Sequence, residues 1–221
     1  MGKGTLRHPS GDVEEGLWVE GHLTGEGKRT YADGSILEGE FREGKIFNGK
    51  GTLHCPTGTV EEGEWVKGRL DGEGKRTYSD GTQEIGKFRR GHLHGHGVIK
   101  YPDGSTLEGV FRQGAIHNGK GELRHPDGEV EEGTWMQGQL TGKRTTAGGD
   151  AYVGTFQDGN LLGKGTVLRK DGVAEEGDFV ANALSGQGKR TYPEGTQQVG
   201  NFQKGFLHGP GVVKWQTVAV W

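Results

Sequence analysis

An aromatic side chain returns nine times along this chain at a nearly constant interval. Trp18, Phe41, Trp65, Phe88, Phe111, Trp135, Phe156, Phe179 and Phe202 are spaced 23, 24, 23, 23, 24, 21, 23 and 23 residues apart. A glycine lies two residues before each of them: Gly16, Gly39, Gly63, Gly86, Gly109, Gly133, Gly154, Gly177 and Gly200. A fixed period between about 20 and 50 residues marks a stacked repeat array. In such an array each unit touches only its neighbours, so the chain does not close around one central core. The expected function shifts from chemistry toward binding.

The stretch Glu61–Gln83, EEGEWVKGRLDGEGKRTYSDGTQ, shows one unit. Gly63 and Trp65 fall on one strand face, because strand side chains alternate. Gly68 and Gly72 bracket a short polar turn, and Gly74, Arg76 and Tyr78 alternate along a second strand. Ser79-Asp80-Gly81 is a second turn, Asp-Gly being a strong turn signal. Two short strands about a glycine-containing loop read as a β-hairpin. No unit shows a helical period. A lone hairpin is marginal in water. Stacked on both sides it buries its ring, gaining a few kcal/mol at roughly 25 cal/mol per Å² over about 150–250 Å².

Glycine at a strand centre is costly in isolation. Its return in every unit implies that something sits directly on the bare backbone, and the ring of the next hairpin is the expected occupant. A further glycine series, at 25, 49, 72, 95, 119, 142, 163, 186 and 209, marks the turns. In the sixth unit Gly142 runs straight into Lys143-Arg144-Thr145, and a kink or register change is expected over 142–150.

The predicted fold is all-β: an elongated, twisted, single-layer array of about nine stacked β-hairpins. It forms one domain over 1–221, with a half repeat at 2–13 and repeats starting near 14, 37, 61, 84, 107, 131, 152, 175 and 198. Hydrophobic residues are only 29% of the chain, but 46 glycines bring the apolar-plus-glycine share to the usual level for folded proteins. Only six prolines accompany the glycines and no triplet register runs through them, which excludes collagen. The single cysteine, Cys55, forms no internal disulfide, and no apolar run has the length of a membrane helix. A net charge of −3 points to no nucleic-acid partner, and a cytoplasmic setting is expected.

The pattern Gly-x-Phe/Trp, Gly, His/x-Gly-x-Gly, then Asp-Gly, resembles the MORN repeat (membrane occupation and recognition nexus). The fourth unit matches best: Ile85-Gly86-Lys87-Phe88-Arg89-Arg90-Gly91-His92-Leu93-His94-Gly95-His96-Gly97, with Tyr101 and Asp103-Gly104 after it. The ninth, Gly200 to Gly211, is close behind. The resemblance covers Gly2 to about Trp215. It implies a hairpin stack, scaffolding, homodimer formation and roles at cytoskeleton–membrane junctions or cilia. It also implies a role as targeting or regulatory module of a larger complex, or phospholipid binding. The family usually opens each unit with an aromatic, most often Tyr. Here that position holds Glu14, Leu37, Glu61, Glu84, Leu107, Glu131, Tyr152, Glu175 and Gln198. A ring-lined peptide groove of the family's kind is therefore expected only near Tyr152.

Acidic pairs open four units, and the basic pairs Lys28-Arg29, Lys75-Arg76, Lys143-Arg144 and Lys189-Arg190 follow in the same units. A hairpin turning near residue 22 places Glu15 across from Arg29, so the pairs read first as charge ladders that set strand register. As the alternative they form a basic stripe for an acidic partner or anionic phosphoinositide head groups. His92, His94 and His96 alternate and are weak metal candidates, as is His54-Cys55, but no resident metal or other cofactor is expected. Gly44 to Lys50 and Gly114 to Lys120 mimic a phosphate-binding loop but lack the following Ser/Thr and helix.

At the C-terminus the chain turns apolar over 212–221, as a cap or as an edge strand, with Val218, Val220 and Trp221 as candidate self-association residues. The expectation is a non-catalytic protein–protein interaction scaffold that self-associates. Its partners are other proteins, including a copy of itself, with an anionic membrane surface as the alternative and no nucleic acid or small-molecule substrate.

Overall fold

The computed structural model describes residues 1–215, and every regular element among them is a β-strand. The self-association candidates Val218, Val220 and Trp221 lie outside the described residues. The chain divides into two compact units, residues 1–116 and 117–221. The first holds β1 (Gly2–Arg7), β2 (Val13–Val19), β3 (His22–Thr30), β4 (Ile36–Arg42), β5 (Lys45–His54), β6 (Val60–Val66), β7 (Arg69–Thr77), β8 (Gln83–Arg89), β9 (His92–Lys100) and β10 (Thr106–Arg112). The division falls at the start of β11 (Ala115–Arg124). The second unit continues with β12 (Val130–Met136), β13 (Gln139–Thr145), β14 (Ala151–Gln157), β15 (Asn160–Leu168), β16 (Ala174–Val180), β17 (Ala183–Thr191), β18 (Gln197–Gln203) and β19 (Phe206–Lys214).

Within each unit every strand pairs antiparallel with the next in sequence, giving a meander. Each hairpin turns tightly on two residues. Glu20, Glu43, Lys67, Arg90, Gln113, Gln137, Asp158 and Lys204 take φ of 48–54°, each followed by a glycine at positive φ. That pairing of left-handed residues is the type I′ turn, whose twist suits a hairpin. In the eighth hairpin Ala181 and Asn182 do the same work, at φ 49° and 66°. The turn thus sits at residues 67–68 in the third unit, and Leu70 and Gly72, expected within it, belong to β7.

Placing the turn there reassigns the face of every residue after it, since a one-residue slip in register flips side chains across the sheet. Arg29 pairs with Glu14, and Lys28 with Glu15. One face then bears the rings together with an aliphatic series at Leu23, Ile46, Leu70, Leu93, Ile116, Leu140, Leu161, Leu184 and Leu207, each five residues after its ring. Trp65 lies opposite Leu70, and Phe88 opposite Leu93. Phe41 and Leu93 are fully buried, and Trp65, Phe88, Phe111, Trp135, Phe156, Phe179 and Phe202 are buried with them, whereas Trp18 is half-buried.

Two glycine series serve this face differently. The strand-centre glycines face each other across the ladder, as in Gly63–Gly74–Gly86–Gly97. A Cβ on Gly86 would stand 2.6 Å from the His96 carbonyl oxygen and 2.8 Å from the Gly97 Cα. At Gly16 the Leu23 Cδ1 is 2.9 Å away. Facing backbone and the hairpin's own leucine therefore occupy the bare position, not the ring of the next hairpin. That ring stands instead opposite the other series: Phe41 on Gly25, Trp65 on Gly49, Phe88 on Gly72 and Phe202 on Gly186.

The sixth hairpin and its pairing with β14 run without a register shift. Most hairpins carry a bulge next to the ring, as between Gly63 and Trp65. The sixth pairs Gly133–Gly142, Thr134–Thr141 and Trp135–Leu140 without interruption. Its missing residues are those of the bulge, so the shortening leaves a plain ladder.

Candidate functional site

The register sorts the basic pairs onto opposite faces. Lys28, Lys75, Lys143 and Lys189 lie across from Glu15, Glu62, Glu132 and Glu176 on the face away from the rings. Arg29, Arg76, Arg144 and Arg190 lie on the ring face and join one hairpin to the next. Arg76 reaches Glu61 at 2.6 Å, Glu84 at 3.1 Å and the Gly91 carbonyl oxygen at 2.7 Å, with its guanidinium 5.3 Å from the Phe88 ring centre. Arg190 repeats this with Glu175 at 2.6 Å, the Gly205 carbonyl at 2.6 Å and Phe202 at 5.5 Å. Arg144 holds Glu131, Glu129 and the Gly159 carbonyl. Arg29 holds Glu14, Asp12 and the Gly44 carbonyl. Burial opposes the charge on Arg76, but bonds to Tyr78 and Glu61 outweigh it and push its pKa up. These four arginines are engaged in packing, while of the lysines Lys28 and Lys143 are exposed and Lys75 and Lys189 are half-buried.

The tight turns stack directly. The Gly44, Gly91, Gly114 and Gly205 amides donate to the carbonyls of Leu23, Leu70, Leu93 and Leu184 in the preceding hairpin. The wide loops stack too. Asp12 Oδ1 accepts the Ala32 amide at 3.0 Å, and Asp150 Oδ1 accepts that of Lys170 at 2.9 Å. Both edges are thereby tied from one hairpin to the next within each unit.

In the first unit the ring face opens into a recess of about 430 Å³ near the second and third tight turns. Tyr31, Leu37, Ile46, Phe47, Leu53 and Trp65 line it, with Arg42, Lys45 and Lys67 beside them. Leu53 stands where the first and third hairpins have Arg29 and Arg76, so an apolar side chain replaces an arginine clamp. Arg42 stacks on Phe47 at 3.4 Å and pairs with Glu40 at 2.8 Å. Burial pushes the Tyr31 hydroxyl's pKa up. Phe47 lies outside the nine-fold aromatic series. Its trace in the sequence is the one-residue excess of β5 over the usual second strand, which places it at a register shift near Phe41. Tyr152, where a ring-lined groove was expected, accepts a hydrogen bond from Arg169 at 2.8 Å.

The weak metal candidates separate. His92 and His94 border a second recess, and His96 pairs with Val110. His54 Nδ1 is bonded to the Asp33 carbonyl oxygen at 2.8 Å, and burial pushes the Cys55 thiol up. Among the described residues, His125, Glu129 and Glu131 have ligand atoms within 4.8 Å of one another. Arg144 already bridges both of those carboxylates. The two phosphate-loop mimics run from a tight turn into β5 and β11, with no helix beside them. No helix among the described residues is long and apolar enough to cross a membrane.

The family model for the MORN repeat matches at residues 15–36, 38–60, 62–83, 85–106, 152–173, 176–197 and 199–217, well over half of the chain. No functionally curated protein matches the sequence. Among solved structures, the chain is similar to the G-box domain of the microcephaly protein CPAP at 16% identity and a TM-score of 0.32, over 98% of this chain and 100% of that one. It is also similar to the TCP10 domain of Danio rerio CPAP, solved with a STIL peptide, at 17% identity and TM-score 0.32, over 90% and 84%. A third is the Drosophila melanogaster SAS-4 TCP domain with a proline-rich motif of Ana2, at 11% identity and TM-score 0.27, over 90% of each chain.

Proposed function

The chain belongs to the MORN-repeat family, and from that premise we propose that it is a non-catalytic scaffold that presents its ring face to segments of other proteins. One observation supports the reading above the rest: the recess lined by Tyr31, Phe47, Leu53 and Trp65 and edged by Arg42, Lys45 and Lys67. Concave, largely apolar sites with a few convergent polar groups are where ligands bind. The stacked turns hold this one open, so the partner meets a preorganised surface. The chemistry that fits is an extended segment with an apolar or aromatic anchor and flanking acidic residues.

Peptide display against the whole chain tests this. Selected peptides are expected to be apolar with acidic flanks and to lose binding to the Phe47→Glu and Leu53→Lys variants. Peptides that bind both variants as well as the parent would refute the site.

Self-association belongs to the same reading. The β19 strand exposes Phe206 and Val212, with Trp215 after it, an apolar surface suited to a second copy. Light scattering is expected to show a concentration-dependent dimer, and a strict monomer would remove this element. The membrane alternative rests on Lys28, Lys75, Lys143 and Lys189, each facing a glutamate across the ladder. Nearby acid weakens attraction to anionic lipid.

A further inference from the structure

The fourth hairpin differs from its neighbours on the face away from the rings. Arg89 pairs with His92 across the hairpin, next to the tight turn at Arg90-Gly91. Arg89, Arg90, His92 and His94, with Gln113 from the following turn, line a recess of about 560 Å³. No carboxylate lines it. Arg89, Arg90, His92 and Gln113 are exposed. The Asp71 carboxylate nearby is engaged by the Arg90 amide at 3.0 Å. The hairpin's own acid, Glu84, is on the other face, bonded to Arg76 at 3.1 Å.

We propose that this recess is a docking site for one phosphorylated side chain of a partner protein. Two guanidinium forks present several N–H donors to the oxygens of a single dianion, a geometry suited to phosphate. The imidazoles of His92 and His94 and the Gln113 amide add further donors around it. A phosphoserine or phosphothreonine brings nearly two negative charges and three acceptor oxygens to such a cluster.

The surroundings select a single phosphate over a polyanion. A membrane or a nucleic acid offers phosphates in continuous array and is bound by basic residues in continuous array. Here acid interrupts the basic field on one side, and on the other it thins to a single arginine. The third hairpin carries Lys67 and Arg69 at its tight turn, but it also places Glu62, Glu64, Asp71 and Glu73 on this same face, with Glu73 3.9 Å from Lys87. On the other side the fifth turn adds Arg112 with neutral Gln113 and Ala115. A flat anionic surface laid on the fourth hairpin meets the carboxylates of the third.

The test uses the whole chain and three probes. One is a short alanine–glycine peptide with a central phosphoserine, and the second is its unphosphorylated twin. The third is a vesicle of phosphatidylcholine and phosphatidylserine. In an NMR titration the phosphopeptide is expected to shift amides of residues 87–96 and of the turn at Gln113. The twin is expected to shift none. The paired Arg89→Ala and Arg90→Ala substitution is expected to weaken binding on the order of tenfold with the melting temperature unchanged. Gln113→Glu, which places a carboxylate at the rim, is expected to weaken it as well and serves if the arginine variant is poorly folded. Equal response to both peptides, or no response to either, overturns the proposal. Vesicle binding that depends on Arg89 and Arg90, without phosphopeptide binding, also overturns it and assigns the recess to a membrane.

Discussion

Arg76 Nη2 lies 2.7 Å from the carbonyl oxygen of Gly91, and Glu61 Oε1 is 2.6 Å from the same nitrogen. Glu61 belongs to the arginine's own hairpin and Gly91 to the turn of the next, so one side chain ties two units. Arg76→Met leaves Glu61, Glu84 and the Gly91 carbonyl without their shared donor. The expected loss is about 1–3 kcal/mol, read from urea unfolding. Adding Glu61→Gln to Arg76→Met is expected to cost less than the two losses summed, because both act in one network. Strict additivity would contradict the clamp.

Ring and leucine form each hairpin's buried pair. Phe88→Ala is expected to cost about 3–5 kcal/mol and Leu93→Ala about 2–5 kcal/mol, since both side chains are buried. Trp18→Ala is expected to cost less than Phe88→Ala, because Trp18 is half-buried. Equal losses at Trp18 and Phe88 in denaturant unfolding would argue against burial as the source of the difference.

The strand-centre glycines are predicted to resist any side chain. Gly86 has φ +142°, and an added Cβ would press on backbone of the facing strand. Gly86→Ala combines overpacking with strain and is expected to cost about 1–3 kcal/mol or more. Gly4, which faces Gly16 from β1, has only Trp18 Cδ1 at 3.9 Å and no positive φ. Gly4→Ala is expected to leave the melting temperature almost unchanged.

Acid should loosen the wide-loop edge. The Ala32 amide, followed by Arg29, holds the Asp12 carboxyl below the ordinary aspartate range, and the Lys170 amide, followed by Arg169, does so for Asp150. A depressed folded pKa means that the unfolded chain takes up protons first. The stabilisation is therefore complete above the ordinary aspartate range and is lost as pH falls through the lowered folded value. Thermal melts of Asp12→Asn with Asp150→Asn are expected to show a shallower acid decline than the parent. An identical decline would mean that other carboxylates govern it.

The repeat was legible because its units are held by local spacing. Gly63 and Trp65, read from one unit, return at the same places in the ladder along the chain. Leu70 was not legible, although a leucine or isoleucine follows every ring by five residues. It lies between Gly68 and Gly72, and two glycines read as one turn hide a core position. The turn itself needs only Lys67 and Gly68, at φ 52° and 73°. The recess at Phe47 was hidden for a related reason: its ring belongs to no periodic series and comes from an extra residue in one strand.

Spacing along the chain was enough to determine that these residues form β-hairpins, where the rings recur and which glycines accompany them, because those follow from local backbone preference and alternation. Only the tertiary structure decided which face each side chain takes. That choice depends on register, and register depends on which two residues make the turn. It placed Arg29, Arg76, Arg144 and Arg190 against the rings and their neighbouring lysines on the opposite side. It also brought Arg89, Arg90, His92 and Gln113 around one recess, a meeting of two successive turns that no single repeat contains.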